Sequence, residues 1–408
     1  MKARYFFYPF LFLFSVAMFA SCSLSVPKER DIIEDSAFRS VDLRIIEKTK
    51  GTVMSLGDLM ESYEIIRLDN RDEALIKTYP YGVYVTDNYI LLRPADVVSP
   101  VKLFTRKGRY VADIGGVGQG PGEYLYLFSW LVDEKENRIY LGPGRTDKVL
   151  VYDLKGNYLP DEVIRFGEIV HKSQIWVDYD KKNVVVVTLP FSANVNSNFA
   201  ISKNVCWVQN REGDIVHRIP VNHYGLIGDY SNGLVACRNV DAISFSIFED
   251  PMLRTRPDTL YHYDAVKNII TPCFTIDHVV SENQSACTVL YETSRSYWAQ
   301  VTLYPNNLSS SVSSVRLPAF NVCVSKKDGN VRRIDRFTDP LLGLSHLFLM
   351  MNNGYICISY DPLELMDALD KVLTQTDLEP DVRKRATDLR NSLHENDNDI
   401  LIIGKLKQ

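Results

Sequence analysis

A chain of 408 residues, 46% hydrophobic and 24% charged, has the composition of a globular protein, which argues against both a disordered chain and a multi-span membrane protein. The net charge of −5 and the absence of a Lys/Arg cluster argue against nucleic acid as a partner, because binding a phosphate backbone needs cations to displace its counterions. Length alone allows either one large all-β unit or two to three smaller domains.

The chain opens with Lys2 and Arg4, followed by the apolar run FFYPFLFLFSVAMFA over residues 6–20. A spanning helix needs about 20 apolar residues; this run is shorter and Pro9 interrupts it, so residues 1–21 read as an export signal peptide. The run ends at Phe19-Ala20-Ser21-Cys22, which resembles the bacterial lipobox, with Phe19 where Leu is usual. The expectation is an exported protein with a lipid on Cys22, anchored in the cell envelope at the outer membrane, with residues 22–60 as a polar tether. The other cysteines, at 206, 237, 273, 287, 323 and 357, form no CxxC pair, and most sit in apolar runs where cysteine acts as a small hydrophobe. HExxH, GxSxG and a complete Walker loop are all absent from the sequence.

From about residue 61 short β-rich runs recur in a fixed order of apolar run, tight turn, apolar run, looser connection, apolar run, Gly or Asn turn, apolar run. VYVTDNYILLR followed by VKLFTRKGRYVADIG is the first such unit, and four more follow. Their second turns fall at Gly108, Gly156, Gly213, Asn268 and Gly329, spaced by 48, 57, 55 and 61 residues, and four strands at that period is the pattern of a propeller blade. The last unit lacks one strand, while YEIIRLD at residues 63–69 is one strand too many at the start. Pairing the two closes a ring and removes an open sheet edge. The expected fold is therefore all-β: a six-bladed β-propeller over residues 61–408, closed by an N-terminal strand on the last blade, with a helical insert at about 362–398 in blade six.

The lipobox, the stretch GQGPGEY between the first two blades and the ending ENDNDILIIGKLK together resemble the six-bladed β-propeller lipoproteins of Gram-negative gut bacteria, over residues 60–408. The resemblance implies a fold and an envelope address rather than a reaction. The glycine-rich stretch "GGVGQGPGEY" at residues 115–124 does not read as a phosphate loop, which needs a helix N-terminus after it, whereas this one continues into strands. It reads as the link between two blades, from which Gln119, Glu123 and Tyr124 reach a ligand if one binds there.

Strand parity places the tight turns on one face and the long loops on the other, among them LPFSANVNSNFAISK, EDPMLRTRPD, YPNNLSSSVSS and the insert. The long-loop face is the candidate working surface, since binding residues concentrate in loops held by a rigid scaffold. The insert carries a helical apolar stripe of Leu363, Met366, Leu369, Val372 and Leu373, with Pro380 suited to open a second helix, and reads either as a lid or as a flap on its own blade. His171, His223, His278 and His346 fall in or beside the inter-blade links, where convergent imidazoles would bind a transition metal or an anionic sugar, and scattered ones would be plain loop residues. Trp130, Trp176, Trp207 and Trp298 are expected mainly in the core. Two functions follow. One is a binding or assembly module that presents its long-loop face to a glycan, peptide or protein partner in the cell envelope. The other is a hydrolase or lyase acting on extracellular carbohydrate or lactone at the channel mouth. Cofactor and metal stay undetermined, and no catalytic residue is assigned.

Overall fold

β-Branched and aromatic runs bounded by turn residues form strands because their side chains pack on a pleated, half-buried surface. The computed structural model describes residues 38–408 apart from 97, 179–181, 195–200, 230, 251–255, 278, 282–283 and 306–316. Arg39–Gln408 form one unit, a six-bladed β-propeller whose blades are antiparallel sheets with consecutive strands side by side. The inner strands of the blades are Thr78–Val85, Leu127–Asp133, Gln174–Asp178, Gly233–Cys237, Gln284–Glu292 and Met350–Asn352. Blade six ends on Tyr355–Tyr360, Ile400–Lys405 and Glu64–Arg67.

That last strand closes the ring as expected, pairing antiparallel with Glu64 opposite Ile403 and Arg67 opposite Ile400. The five anticipated turn residues, Gly108, Gly156, Gly213, Asn268 and Gly329, all take positive φ. At Gly108 there is a second constraint: a Cβ there would lie 2.0 Å from the Arg67 carbonyl oxygen, so blade one's outer turn is seated on the closing strand and admits only glycine.

The structure departs from expectation before residue 61. Arg39–Asp42 adds a parallel fifth strand to blade four, and Thr52–Ser55 adds one to blade five. A helical turn follows each, Leu43–Lys48 N-capped by Asp42 and Leu56–Leu59 N-capped by Ser55, and Leu43 and Leu56 are fully buried. From Arg39 onward, therefore, the stretch expected as a tether is a belt along the outer edges of blades four, five and six. Its outward residues are exposed, Val53 among them, which gives the segment a half-polar pattern in sequence.

The cores lie between neighbouring blades, with Trp207 and Trp298 fully buried in them. Among the described residues none of the six cysteines is in a disulfide, and five of them are buried. The insert consists of helices Pro362–Leu373 and Pro380–Asn391, each with proline at its first position. Leu365, Leu369 and Val372 pack with Leu342, Leu344, Ile400 and Ile402 of the same part of the ring, whereas Leu363 is exposed. No helix of the described residues is long and apolar enough to cross a membrane.

Candidate functional site

The six inner strands leave a cavity of about 460 Å³ on the propeller axis, to which every blade contributes, for example through Val83, Trp130, Gln174, Ala236, Val289 and Met351. That volume is within the usual range for a small-ligand site. Among the described residues its lining holds three cations, Arg93, Lys172 and Arg238, and no carboxylate. The overall charge of the chain is −5, so the axis has the opposite sign to the whole.

Each cation is placed by a different element. Arg93 is the penultimate residue of the second strand of blade one, Tyr89–Pro94, with its guanidinium 4.6 Å from the centroid of Tyr79, 5.5 Å from Tyr126 and 5.6 Å from Trp130. A cation over a ring face gains about 0.5–2 kcal/mol, more as water is excluded. Lys172 sits in the link into blade three at φ 50°, a left-handed conformation that non-glycine residues seldom adopt. Its Nζ donates to the Asn232 carbonyl and lies 5.6 Å from the Phe128 ring, and burial pulls its pKa down to about 8, with Asp229 acting in the opposite direction. Arg238 follows the inner strand of blade four and reaches blade three, donating to the Ile175 carbonyl at 2.6 Å with its guanidinium 4.6 Å from the Trp176 centroid. Burial lowers its pKa.

The two ends of the cavity differ. On the tight-turn side Asn239, 7% exposed, donates to the carbonyls of Glu292 and Met351 and accepts from the Gly354 N–H, all at 3.0 Å, tying blade four to blades five and six. Asn353 donates to the Val85 carbonyl at 2.8 Å, and Asn88 donates through its backbone and side chain to Glu134 at 2.8 and 2.6 Å. Beside them the fully buried Glu292 accepts from Ser244, Lys326 and, at 2.6 Å, His262. Burial opposes the charge on Glu292, but His262 and Lys326 outweigh it and hold its pKa down to about 2. Burial likewise opposes protonation of His262, but Cys273 and Glu292 prevail and push it up to about 10. On the long-loop side the lining residues Tyr79, Tyr126 and Ser231 are exposed, so the cavity opens there.

The residues singled out from sequence lie elsewhere. The glycine-rich link folds on itself: Gly116 and Val117 pair with Glu123 and Tyr124, and Glu123 accepts from the Gly120 N–H at 2.7 Å. Tyr124 is buried, with its hydroxyl donating to the Ile114 carbonyl and accepting from the Val101 N–H. Gln119 and Glu123 are exposed and outside the axial lining, whereas Tyr126, two residues past the motif, is part of it. The histidines do not converge: His171 is buried against Phe191, His346 is buried against Tyr360, His223 is exposed beside Tyr224, and His278 lies outside the described residues, as does Cys22. Among the described residues no three His, Cys, Asp or Glu side chains are grouped to hold a metal. Trp130 and Trp176 are half-buried, packing against the core while also lying beside Arg93 and Arg238. Arg93 and Arg238 each end an apolar run, ILLR and LVACR, a position that reads in sequence as a solvated strand end.

The fold and this site define a six-bladed β-propeller with a cation-lined axial cavity open at its long-loop face. The chain belongs to the family described as a domain of unknown function, DUF4934, whose model matches residues 40–405. It is similar in structure to a Bacteroides fragilis protein named as exported, with 16% identity and a TM-score of 0.58, covering 91% of this chain and 100% of that one. A DUF4221 family member from Bacteroides vulgatus matches with 10% identity and a TM-score of 0.43, covering 86% of this chain and 97% of that one. The first likeness is one of fold. No curated protein matches the chain in sequence.

Proposed function

We propose that this protein is a binding module of the cell envelope, exported, anchored through a lipid on Cys22 and seating its ligand in the axial cavity from the long-loop face. The observation that carries the reading is the cavity itself: all six inner strands contribute to it, hydrogen bonds cross its tight-turn end and its other end is open. The likeness to a Bacteroides fragilis protein named as exported supports the address, together with the signal-like start and Cys22 of this sequence.

Glycan, peptide and protein partners all suit the long-loop face. Glycoside hydrolysis by paired carboxylates needs two of them about 5 to 9 Å apart, and the described lining offers cations, amides and aromatic rings instead. That chemistry favours holding a ligand over hydrolysing it.

The test is a binding screen against soluble glycans and peptides, with Ala236→Trp as the control that fills the cavity. Binding lost in Ala236→Trp while the fold is retained supports the seat, and a ligand bound equally by that variant overturns it. For the anchor, metabolic labelling with a palmitate analogue is expected to mark the wild-type chain and not Cys22→Ser. Equal labelling of both, or of neither, overturns the lipid on Cys22.

A further inference from the structure

We propose that the axial cavity is an anion receptor: its ligand carries a carboxylate or sulfate that meets Arg93 near the open end, and a ring-shaped body that lies against the aromatic wall. The inference rests on the cavity being the seat of the ligand, and adds what that ligand must be.

The argument begins with charge. The contacts of Arg93 are three aromatic rings, and those of Arg238 are a backbone carbonyl and a ring. Among the described residues no carboxylate lies within ion-pair distance of either. Elsewhere in the molecule several half-buried arginines do have carboxylates, as Arg138 has Glu162, Arg256 has Glu249 and Arg106 has Glu64. Withdrawing a cation from water is unfavourable unless an opposite charge or several acceptors replace the water. Ring faces offset part of that cost and leave the planar N–H fork of Arg93 available to bind, whereas Arg238 has already given one N–H to Ile175. A guanidinium fork matches the two oxygens of a carboxylate or sulfate, and a recessed site walled by low-dielectric side chains concentrates its field on an entering anion.

The body of the ligand follows from the rest of the lining. Tyr79 and Tyr126 are exposed at the open end, 37% and 49%, with Trp130 deeper. Those faces suit the apolar face of a sugar ring, while Gln174, Ser231 and Asn352 supply amides and a hydroxyl for its edges. The class is an acidic saccharide of about disaccharide size.

Calorimetric titration of the full-length protein with three disaccharides sharing one backbone, cellobiose, cellobiuronate and cellobiose sulfate, tests this. At least one charged probe is expected to bind about tenfold or more tightly than cellobiose. Arg93→Gln is expected to shrink that gap to less than about threefold without changing the melting temperature by more than a few degrees. A preference for cellobiuronate or for the sulfate identifies which anion the site is built for. If all three bind equally and Ala236→Trp abolishes them all, the anion inference fails and the cavity reading survives. If charged probes bind tightly but Ala236→Trp leaves them unchanged, the cavity reading fails with it. If neither charged probe binds in the millimolar range, the inference fails, and the cavity is judged by the wider ligand screen alone.

Discussion

The two ends of one channel have been given different chemistry. At the tight-turn end polar side chains meet polar partners: Asn239 spans three blades with both ends of its amide satisfied, and Glu292 gathers Ser244, His262 and Lys326. At the long-loop end Arg93 is met by rings rather than carboxylates, and Lys172 holds a backbone conformation seldom adopted by its residue type. A satisfied polar network in a low-dielectric setting specifies one arrangement, whereas charge held against rings is available to a visitor. The contrast separates the part that keeps the ring shut from the part proposed to receive a ligand.

The sharpest way to break this contrast is at the tight-turn end. Glu292→Ala leaves His262 and Lys326 buried without their common partner and is expected to destabilise by about 3–5 kcal/mol, measured by chemical denaturation. A loss under about 1 kcal/mol would show that the buried cluster does not secure blades four and five.

Acid should act first on the other end. Burial holds the pKa of His346 down to about 4. Burial, then Arg145 and Lys172, does the same for His171, also to about 4. Both lie in links on the long-loop side. An unfolded histidine takes a proton near pH 6.5 and these do not, so their contribution is complete above pH 6.5 and is lost as pH falls through about 4. For His346 that amounts to about 3 kcal/mol. His346→Gln is expected to flatten the acid limb of stability against pH, and an unchanged limb would remove the histidine as its cause. His262 has the opposite sign: its folded pKa of about 10 makes its contribution complete below pH 6.5 and lost as pH rises through 10. Wild type and Glu292→Ala should therefore diverge most in mild acid, between about pH 4.5 and 6.5, and converge toward alkaline pH.

Asn239→Ala is expected to cost about 2 kcal/mol, through the Gly354 N–H and the two carbonyls it leaves behind. The smallest effect is expected from Arg93→Gln, under about 1 kcal/mol in stability, since the arginine's contacts are ring faces in a wet cavity. A large loss from Arg93→Gln would make it a structural residue and end the contrast between the two ends.

Much of the fold is legible in the chain because its punctuation is local. Gly108, Gly156, Gly213, Asn268 and Gly329 mark turns that need positive φ, a requirement each residue satisfies without reference to the rest of the molecule. The closing strand is legible by counting, as one strand short at the end and one spare at the start. Two elements are not. The inner strand of blade five, Gln284–Glu292, meets the next strand through a turn that carries neither glycine nor asparagine, so the repeat pattern begins that blade at Ser296–Pro305. The belt from Arg39 to Ser55 is half exposed, and its short parallel strands rest on partners more than two hundred residues away.

The site is where local reading ends. GQGPGEY is prominent in sequence because a self-folded link needs glycine where side chains would collide, as at Gly122 against Tyr158. Arg93, Lys172 and Arg238 are unremarkable in sequence, each at the edge of an apolar run on a different blade. The sequence by itself determined most of the strands, the turns and the number of blades, because those depend on backbone conformation and on which side chains leave water. Only the tertiary structure decided that three cations from separate blades share one axis with Tyr79, Tyr126 and Trp130, because closing the ring is what brings residues as far apart as Tyr79 and Arg238 into one cavity.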